Sequence, residues 1–236
     1  MDENIPVVIL CGGRGTRLRE QTEFMPKPLV EIGNKPILWH IMKIYSSHGY
    51  NNFIICLGYK GDMIKDYFNG IGENWKVTLV DTGLDTTTGG RIKKIEPHIK
   101  TDHFMCTYGD GVADIDIKEV MNFHLSKGKM ATVTGVHPHS KYGVLEFDKD
   151  NIVFHFTEKP LLESWVNGGF FIFNREIFDF IKENLPLEQD VLPKISWIKE
   201  LAMFKFSGTW YCMDTYKDYL DLNKIWKEGN AEWKIW

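Results

Sequence analysis

The chain has 236 residues, 43% of them hydrophobic and 14% aromatic, which is enough apolar material for one substantial core. Its formal charge of −4 gives no basic footprint for broad binding to nucleic acid, although a local cationic pocket can still take a small anion. No apolar run is long enough to cross a bilayer, the acidic start Met1-Asp2-Glu3 has no signal-peptide core, and Cys11, Cys56, Cys106 and Cys212 form no C-x-x-C pair, so a cytoplasmic protein with reduced thiols is expected.

The apolar run Val7–Leu10 reads as a first strand. It breaks into Gly12, Gly13 and Gly15, with Arg17 just behind and Lys27 held between Pro26 and Pro28. Glycine lets backbone amides turn outward and approach an anion, so a strand, a glycine turn and two cations suggest a phosphate cradle. Helical spacing of apolar residues at 37, 38, 41, 42, 44 and 45 predicts a helix over 37–48. A strand follows at 52–57, a helix at 61–68 and a strand at 76–80. A helix over 89–99, with Pro97 near its end, precedes a strand at 104–108 that stops at Gly109-Asp110-Gly111. A helix over 116–128 and a strand at 131–136 complete the alternation.

Beyond Tyr142, strands are expected at 144–147, 153–157 and 168–173, helices at 175–183 and 189–201, and a strand at 202–206. A last helix, 216–228, sets Tyr219, Leu220, Leu222, Asn223 and Trp226 toward one side. The alternation predicts an α/β fold with a Rossmann-like, mostly parallel (mixed) sheet flanked by helices. With no repeat and no linker, residues 1–236 are expected to form a single domain.

The standard nucleotide loops do not fit the glycine turn. A G-x-G-x-x-G fingerprint would need glycine where Leu18 stands, and no Walker string exists. A dehydrogenase would also need an acidic residue on a strand about twenty residues onward, where Glu31 lies in a Pro-flanked stretch instead. The bland alternative is a tight loop needing positive φ. Two aspartates stand at strand ends: Asp110 after Thr107-Tyr108-Gly109, and Asp214 after Trp210-Tyr211-Cys212-Met213. Carboxylates at the ligand-binding edge of an open sheet suit Mg²⁺, which takes one or two carboxylates together with phosphate oxygens and water. Asp-Gly is also a common turn signal, so Asp110 alone proves little. The pairing has a physical rationale. Like charges at about 4 Å repel by about 4 kcal/mol at an effective dielectric of about 20, so two phosphates meet only where cations cancel that repulsion. A phosphate oxygen needs no general base, which fits the absence of any evident Ser–His–Asp or Cys–His set.

The strings LCGGRGTRL, MPKPLVEIGNKPILWHI, TYGDGVADID, EKP, VNGGFFIF and WYCMDT, in this order, resemble the sugar-phosphate nucleotidyltransferases over nearly the whole chain. VEIGNKPILWHIMK, VTLVDTGLDTTTGGRIKK and the tryptophan-rich tail resemble the branch of the glucose-1-phosphate cytidylyltransferases. The resemblance implies the nucleotide-diphospho-sugar transferase fold, with the N-terminal half binding nucleotide and the C-terminal half binding the acceptor. It implies that CMP passes from CTP to a sugar 1-phosphate, most simply glucose 1-phosphate, with Mg²⁺ as cofactor. Another phosphorylated acceptor or another nucleoside triphosphate stays open. Arg17 and Lys27 would be catalytic. Leu10, Gly12, Gly13, Gly15, Thr16, Arg17, Lys27, Thr88, Gly89, Gly109 and Asp110 would contact the nucleotide. Gly143, Glu158, Lys159, Asn167 and Gly168 would face the acceptor, and Asp110 and Asp214 would ligate the metal. The implied partners are these small molecules and further copies of the chain in a homo-oligomer, with neither nucleic acid nor membrane.

The match departs in two places. Only residues 69–76 fill a segment that is much longer in cytidylyltransferases, which opens the questions of assembly, base grip and acceptor. His137 and His139 replace a different loop on the acceptor side. They lack a third metal ligand in sequence and are expected to shape acceptor choice instead.

Overall fold

Strand β1 (Val7–Leu10) is buried on both faces, and its alternation sorts the core into two layers. The computed structural model describes residues 4–182 and 184–236. After β1 come the short helix α1 (Arg19–Thr22) and the β2 (Glu31–Ile32) and β3 (Lys35–Pro36) hairpin, which leads into α2 (Ile37–Ser47). Then follow β4 (Asn52–Leu57), α3 (Gly61–Phe68), β5 (Lys76–Asp81), α4 (Thr88–Lys94), β6 (His103–Tyr108), β7 (Gly111–Ala113), α5 (Ile117–Lys127) and β8 (Ala131–Val136). The second half holds β9 (Val144–Phe147), β10 (Val153–Thr157), β11 (Val166–Asn167), β12 (Phe171–Asn174), α6 (Ile177–Phe180), α7 (Leu192–Trp197), β13 (Leu201–Lys205), β14 (Trp210–Cys212) and α8 (Tyr216–Lys227).

The main sheet runs β5-β4-β1-β6-β12-β8, with β13 on the outer edge of β8. β4, β1, β6 and β5 pair in parallel, as does β13 with β8, whereas β12 is antiparallel to both neighbours. The mixed, mostly parallel α/β sheet is as expected. Val7, Ile9, Phe53, Ile55 and Met105 face a layer formed with α2, α3, α5 and α8. Val8, Leu10, Ile54, Phe104 and Cys106 face α4, α6 and α7. Burial on both faces explains why these strands read as unbroken apolar runs.

Several boundaries differ from expectation. The helix expected over 89–99 ends at Lys94, and a 3-10 turn, Glu96–His98, follows, because Pro97 supplies no N–H and disfavours helix at the residue before it. The strand expected at 168–173 is split. β11 and β12 lie along the same edge of β8, but their register slips by two residues between Asn167 and Ile172. Gly169 (φ 78°) and Phe170 (φ 47°) take left-handed backbone there, which makes a bulge. The helix expected at 175–183 shrinks to α6, and its expected end, Glu183, lies outside the described residues, as do the first three residues. The helix expected at 189–201 begins as a π turn, Leu187–Val191, and stops at Trp197, with Leu201 already in β13. On α8, Leu222 is buried, but Leu220 is half exposed.

The C-terminal tryptophans anchor the tail to α2. His40 is fully buried with its ring edge-on to Trp39 and Trp226, and Trp233 and Trp236 pack against it. Its Nε2 donates to the Ile32 carbonyl at 2.9 Å. Burial disfavours the imidazolium and lowers the His40 pKa to about 4. The unfolded chain takes up the proton near pH 6.5, so this contribution to stability is complete above that pH and is lost as pH falls toward 4. Urea unfolding at pH 7.5 and 4.5 should show a loss of about 2–3 kcal/mol in wild type that is absent from the pH dependence of His40→Gln. Identical pH slopes in the two proteins would contradict this assignment.

Candidate active site

The carboxyl end of β1 runs into Cys11 and Gly12, and the loop turns on Gly15, whose φ of 63° is left-handed. A 3-10 turn, Thr16–Leu18, follows and is held by Leu18 N–H on the Gly15 carbonyl at 3.0 Å. The Thr22 hydroxyl donates to the Gly15 and Leu18 carbonyls. Gly13 stands open, with no heavy atom within 4 Å of where a Cβ would be. The loop is therefore fixed at both ends and clear in the middle, as an anion cradle must be.

Gly12 is fixed by Arg91, a residue outside the set expected from sequence. Arg91 is 4% exposed and lies behind the loop. Its Nη2 donates to the Gly12 and Leu84 carbonyls at 3.0 and 3.1 Å, and its Nη1 to Leu57 O, Thr82 Oγ1 and Gly83 O at 3.0, 2.6 and 2.7 Å. A Cβ on Gly12 would fall 2.0 Å from Nη1, so only glycine fits against this guanidinium. Arg91 follows the T-T-T-G-G run, and only its burial distinguishes it from the neighbouring surface cations.

The structure brings Lys27, Asp110, Asp214 and Arg17 together. Lys27 Nζ lies 2.7 Å from Asp110 Oδ2 and 3.0 Å from Asp214 Oδ1. Arg17, largely exposed, pairs with Asp214 Oδ2. Burial alone would lower the Lys27 pKa, but the Asp110 charge and the hydrogen bonds that the ammonium donates to both carboxylates outweigh it and hold the ammonium above its usual range. Nearby, burial and the adjacent carboxylates push the Cys212 thiol up to about 12.

The two aspartates do not both end strands of the main sheet. Asp110 follows β6 in that sheet, whereas Asp214 follows β14, which pairs antiparallel with β7 in a separate two-stranded sheet. Cys212 opposite Gly111, and Met213 N–H on the Asp110 carbonyl at 2.9 Å, bring the carboxylates together. Thr215 and Asp218 form a capping box at the start of α8, and Asp214 N–H also donates to Asp218.

Leu10 ends β1, and Thr16 opens the 3-10 turn. Gly109 is wedged between Cys11, the Leu10 carbonyl and Pro28, each 3.1 Å from where a Cβ on it would stand. Thr88 and Gly89 open α4, and a Cβ on Gly89 would meet the Leu185 carbonyl at 2.3 Å. Gly143 lies against Phe156 and Glu158. Glu158 and Lys159 pair with each other at 3.4 Å, both exposed, and among the described residues no hydrogen bond or ion pair joins them to the Lys27 cluster. Asn167 bonds Tyr108, and the Gly168 carbonyl accepts from Trp210 Nε1 at 2.9 Å. His137 Nδ1 and His139 Nδ1 contact the Leu162 and Lys159 carbonyls at 2.8 and 3.2 Å, so these rings brace the 159–162 segment. No cluster of three or more metal-ligating residues occurs among the described residues.

A glycine cradle facing two carboxylates and two cations at the carboxyl edge of a Rossmann-like sheet defines an enzyme of the nucleotidyltransferase class. The chain belongs to the nucleotidyl transferase family, whose model matches residues 6–229. It is 45% identical to the glucose-1-phosphate cytidylyltransferase of Salmonella typhi, over 97% of this chain and 98% of that protein. It is 42% identical to the probable glucose-1-phosphate cytidylyltransferase of Bacillus subtilis strain 168, over 97% of this chain and 99% of that protein. These alignments span 254 and 252 positions, more than the 236 residues of this chain, so both relatives carry residues that it lacks. The fold superposes on crystalline HddC from Yersinia pseudotuberculosis with a TM-score of 0.75 and 28% identity, over 94% of this chain and 99% of that one.

Arg91→Lys keeps the charge but loses the planar fork. It should lower the unfolding free energy in urea by about 2–3 kcal/mol. A change within about 0.5 kcal/mol would show that Arg91 does not hold the loop.

Proposed function

We propose that the protein transfers CMP from CTP to a sugar 1-phosphate, glucose 1-phosphate first among them, and releases a CDP-sugar and pyrophosphate. The observation that carries this reading is the convergence of Lys27 on Asp110 and Asp214 at the end of the glycine loop. The names of the relatives at 42% and 45% identity support the choice of substrates.

In this reading the triphosphate lies along Gly12, Gly13, Gly15 and Thr16, where the three glycines leave the backbone free of side chains. Leu10, Gly109, Thr88 and Gly89 flank the nucleoside. Gly143, Glu158, Lys159, Asn167 and Gly168 face the acceptor. A phosphate oxygen of the acceptor attacks the α-phosphorus, the bond to the β-phosphate oxygen breaks, and its electron pair departs with pyrophosphate. Arg17 is exposed enough to swing from Asp214 to the leaving group, and Lys27 neutralises charge where the two phosphates meet. Catalysis is then mainly positioning and charge cancellation, with no proton to move.

The donor set suits Mg²⁺. Asp110 and Asp214 are hard oxygen donors that already converge on one cation, the Lys27 ammonium, and two carboxylates leave room for phosphate oxygens and water. Bound there, Mg²⁺ would supply further charge neutralisation on the phosphates.

The reading extends to a cytoplasmic, single-domain homo-oligomer. Among the described residues all four cysteines are free thiols and no helix is long and apolar enough to cross a membrane. The β9–β10 hairpin exposes Leu145, Phe147, Phe154 and Phe156, apolar surface that a second copy would cover. A second reading keeps the chemistry and changes the acceptor. The residues missing relative to the cytidylyltransferases favour it.

One experiment tests these points together. The mass in solution is measured by light scattering, and then pyrophosphate release is followed with ATP, CTP, GTP and UTP crossed with a panel of sugar phosphates and other phosphorylated compounds. CTP with glucose 1-phosphate should be fastest, and Lys27→Ala, still folded by circular dichroism, should lose at least about tenfold in kcat. A fast alternative acceptor with glucose 1-phosphate inert selects the second reading, and unchanged turnover in Lys27→Ala removes Lys27 from the mechanism.

A further inference from the structure

We infer that Glu188 is a positioning residue that ties the nucleotide side of the cleft to the acceptor side through Tyr108. The inference rests on the substrate reading above for which side takes which ligand. Glu188 lies in the π turn Leu187–Val191, and such single turns often mark functional positions.

Two arms of hydrogen bonds end on its carboxylate. On one, Leu187 N–H donates to Thr88 Oγ1 at 3.0 Å, and the Thr88 hydroxyl donates to Glu188 Oε2 at 2.6 Å. On the other, Gly169 N–H donates to Asn167 Oδ1 at 2.9 Å, Asn167 Nδ2 to Tyr108 OH at 3.0 Å, and the Tyr108 hydroxyl to Glu188 Oε1 at 2.7 Å. An ionised carboxylate only accepts, so both hydroxyls must point toward it, and Tyr108 is left with lone pairs only for Asn167. The direction of both hydroxyl bonds is therefore set by one acceptor, the Glu188 carboxylate. Burial and then Glu188 push the Tyr108 phenol far above its usual range, so it remains a donor. Its ring is edge-on to Phe171, 5.8 Å between centroids, which limits its swing.

The geometry places the relay between substrates. Thr88 opens α4 on the nucleotide side, Asn167 sits on the acceptor side, and Tyr108 immediately precedes Gly109-Asp110. The Asn167 amide is thus held at both ends, its oxygen by Gly169 N–H and its nitrogen by Tyr108, whose hydroxyl is turned toward Glu188. A Glu188 that merely pinned the π turn onto α4 would need Thr88 alone. The second arm, to Tyr108 and Asn167, serves no such purpose.

The test compares Thr88→Val, Tyr108→Phe and Glu188→Gln by steady-state kinetics, using whichever triphosphate and acceptor pair the wild-type protein turns over fastest. Failure of the CTP and glucose 1-phosphate reading thus shows in the wild type and leaves the relay testable. Tyr108→Phe should raise the acceptor KM about fivefold with the triphosphate KM within about twofold, the size expected for one lost hydrogen bond. Thr88→Val should do the reverse. Glu188→Gln, which sets an amide N–H against one hydroxyl donor, should raise both KM values by about fivefold or more, with kcat falling less. The ligand-free crystal structure of Tyr108→Phe provides a readout independent of turnover: Asn167 should leave its position while Thr88 stays bonded to Glu188. Equal effects of all three variants on one KM only, no effect on either, or an unmoved Asn167 would overturn the inference.

Discussion

An ammonium held between two carboxylates, all three largely buried, sets the conditions for the rest of the structure. Phosphate groups repel one another, and a site that gathers them must first assemble positive charge without letting it collapse onto the protein. In the proposed function, Lys27 is kept for this purpose between Asp110 and Asp214. Burial works against the ammonium, and the carboxylates more than offset it. Arg17 completes the set from an exposed position, where it can change partners.

This arrangement needs contributions from distant parts of the chain. The sheet brings β1 and β6 side by side, which sets the glycine loop beside Gly109-Asp110. The small β7–β14 sheet then delivers Asp214 from the far end of the sequence. Arg91 fixes the loop from behind through carbonyl oxygens, and the tryptophan cluster around His40 locks the C-terminal tail onto α2.

What the sequence revealed follows from which signals are local. β1, β4 and α3 are read to the residue because apolar runs and helical spacing need no knowledge of partners. Lys27, Asp110 and Asp214 stood out because each is a charge beside glycine, proline or a strand end. Arg91 and Glu188 did not, because a buried Arg and a carboxylate in a π turn look like any surface charge until the fold closes over them. The three-residue strand β7 is too short for any periodicity, and the bulge at Gly169-Phe170 arises from pairing with β8. Pro97, by contrast, was a local signal that the expected helix 89–99 underweighted.

In the proposed function, Asp110 and Asp214 yield their hold on Lys27 when phosphates arrive. A crystal structure with CTP and magnesium chloride tests it most directly. Magnesium should then sit on Asp110 and Asp214, with Lys27 Nζ moved onto phosphate oxygen. Lys27 still seated between both carboxylates, with nucleotide and metal bound elsewhere, would contradict it.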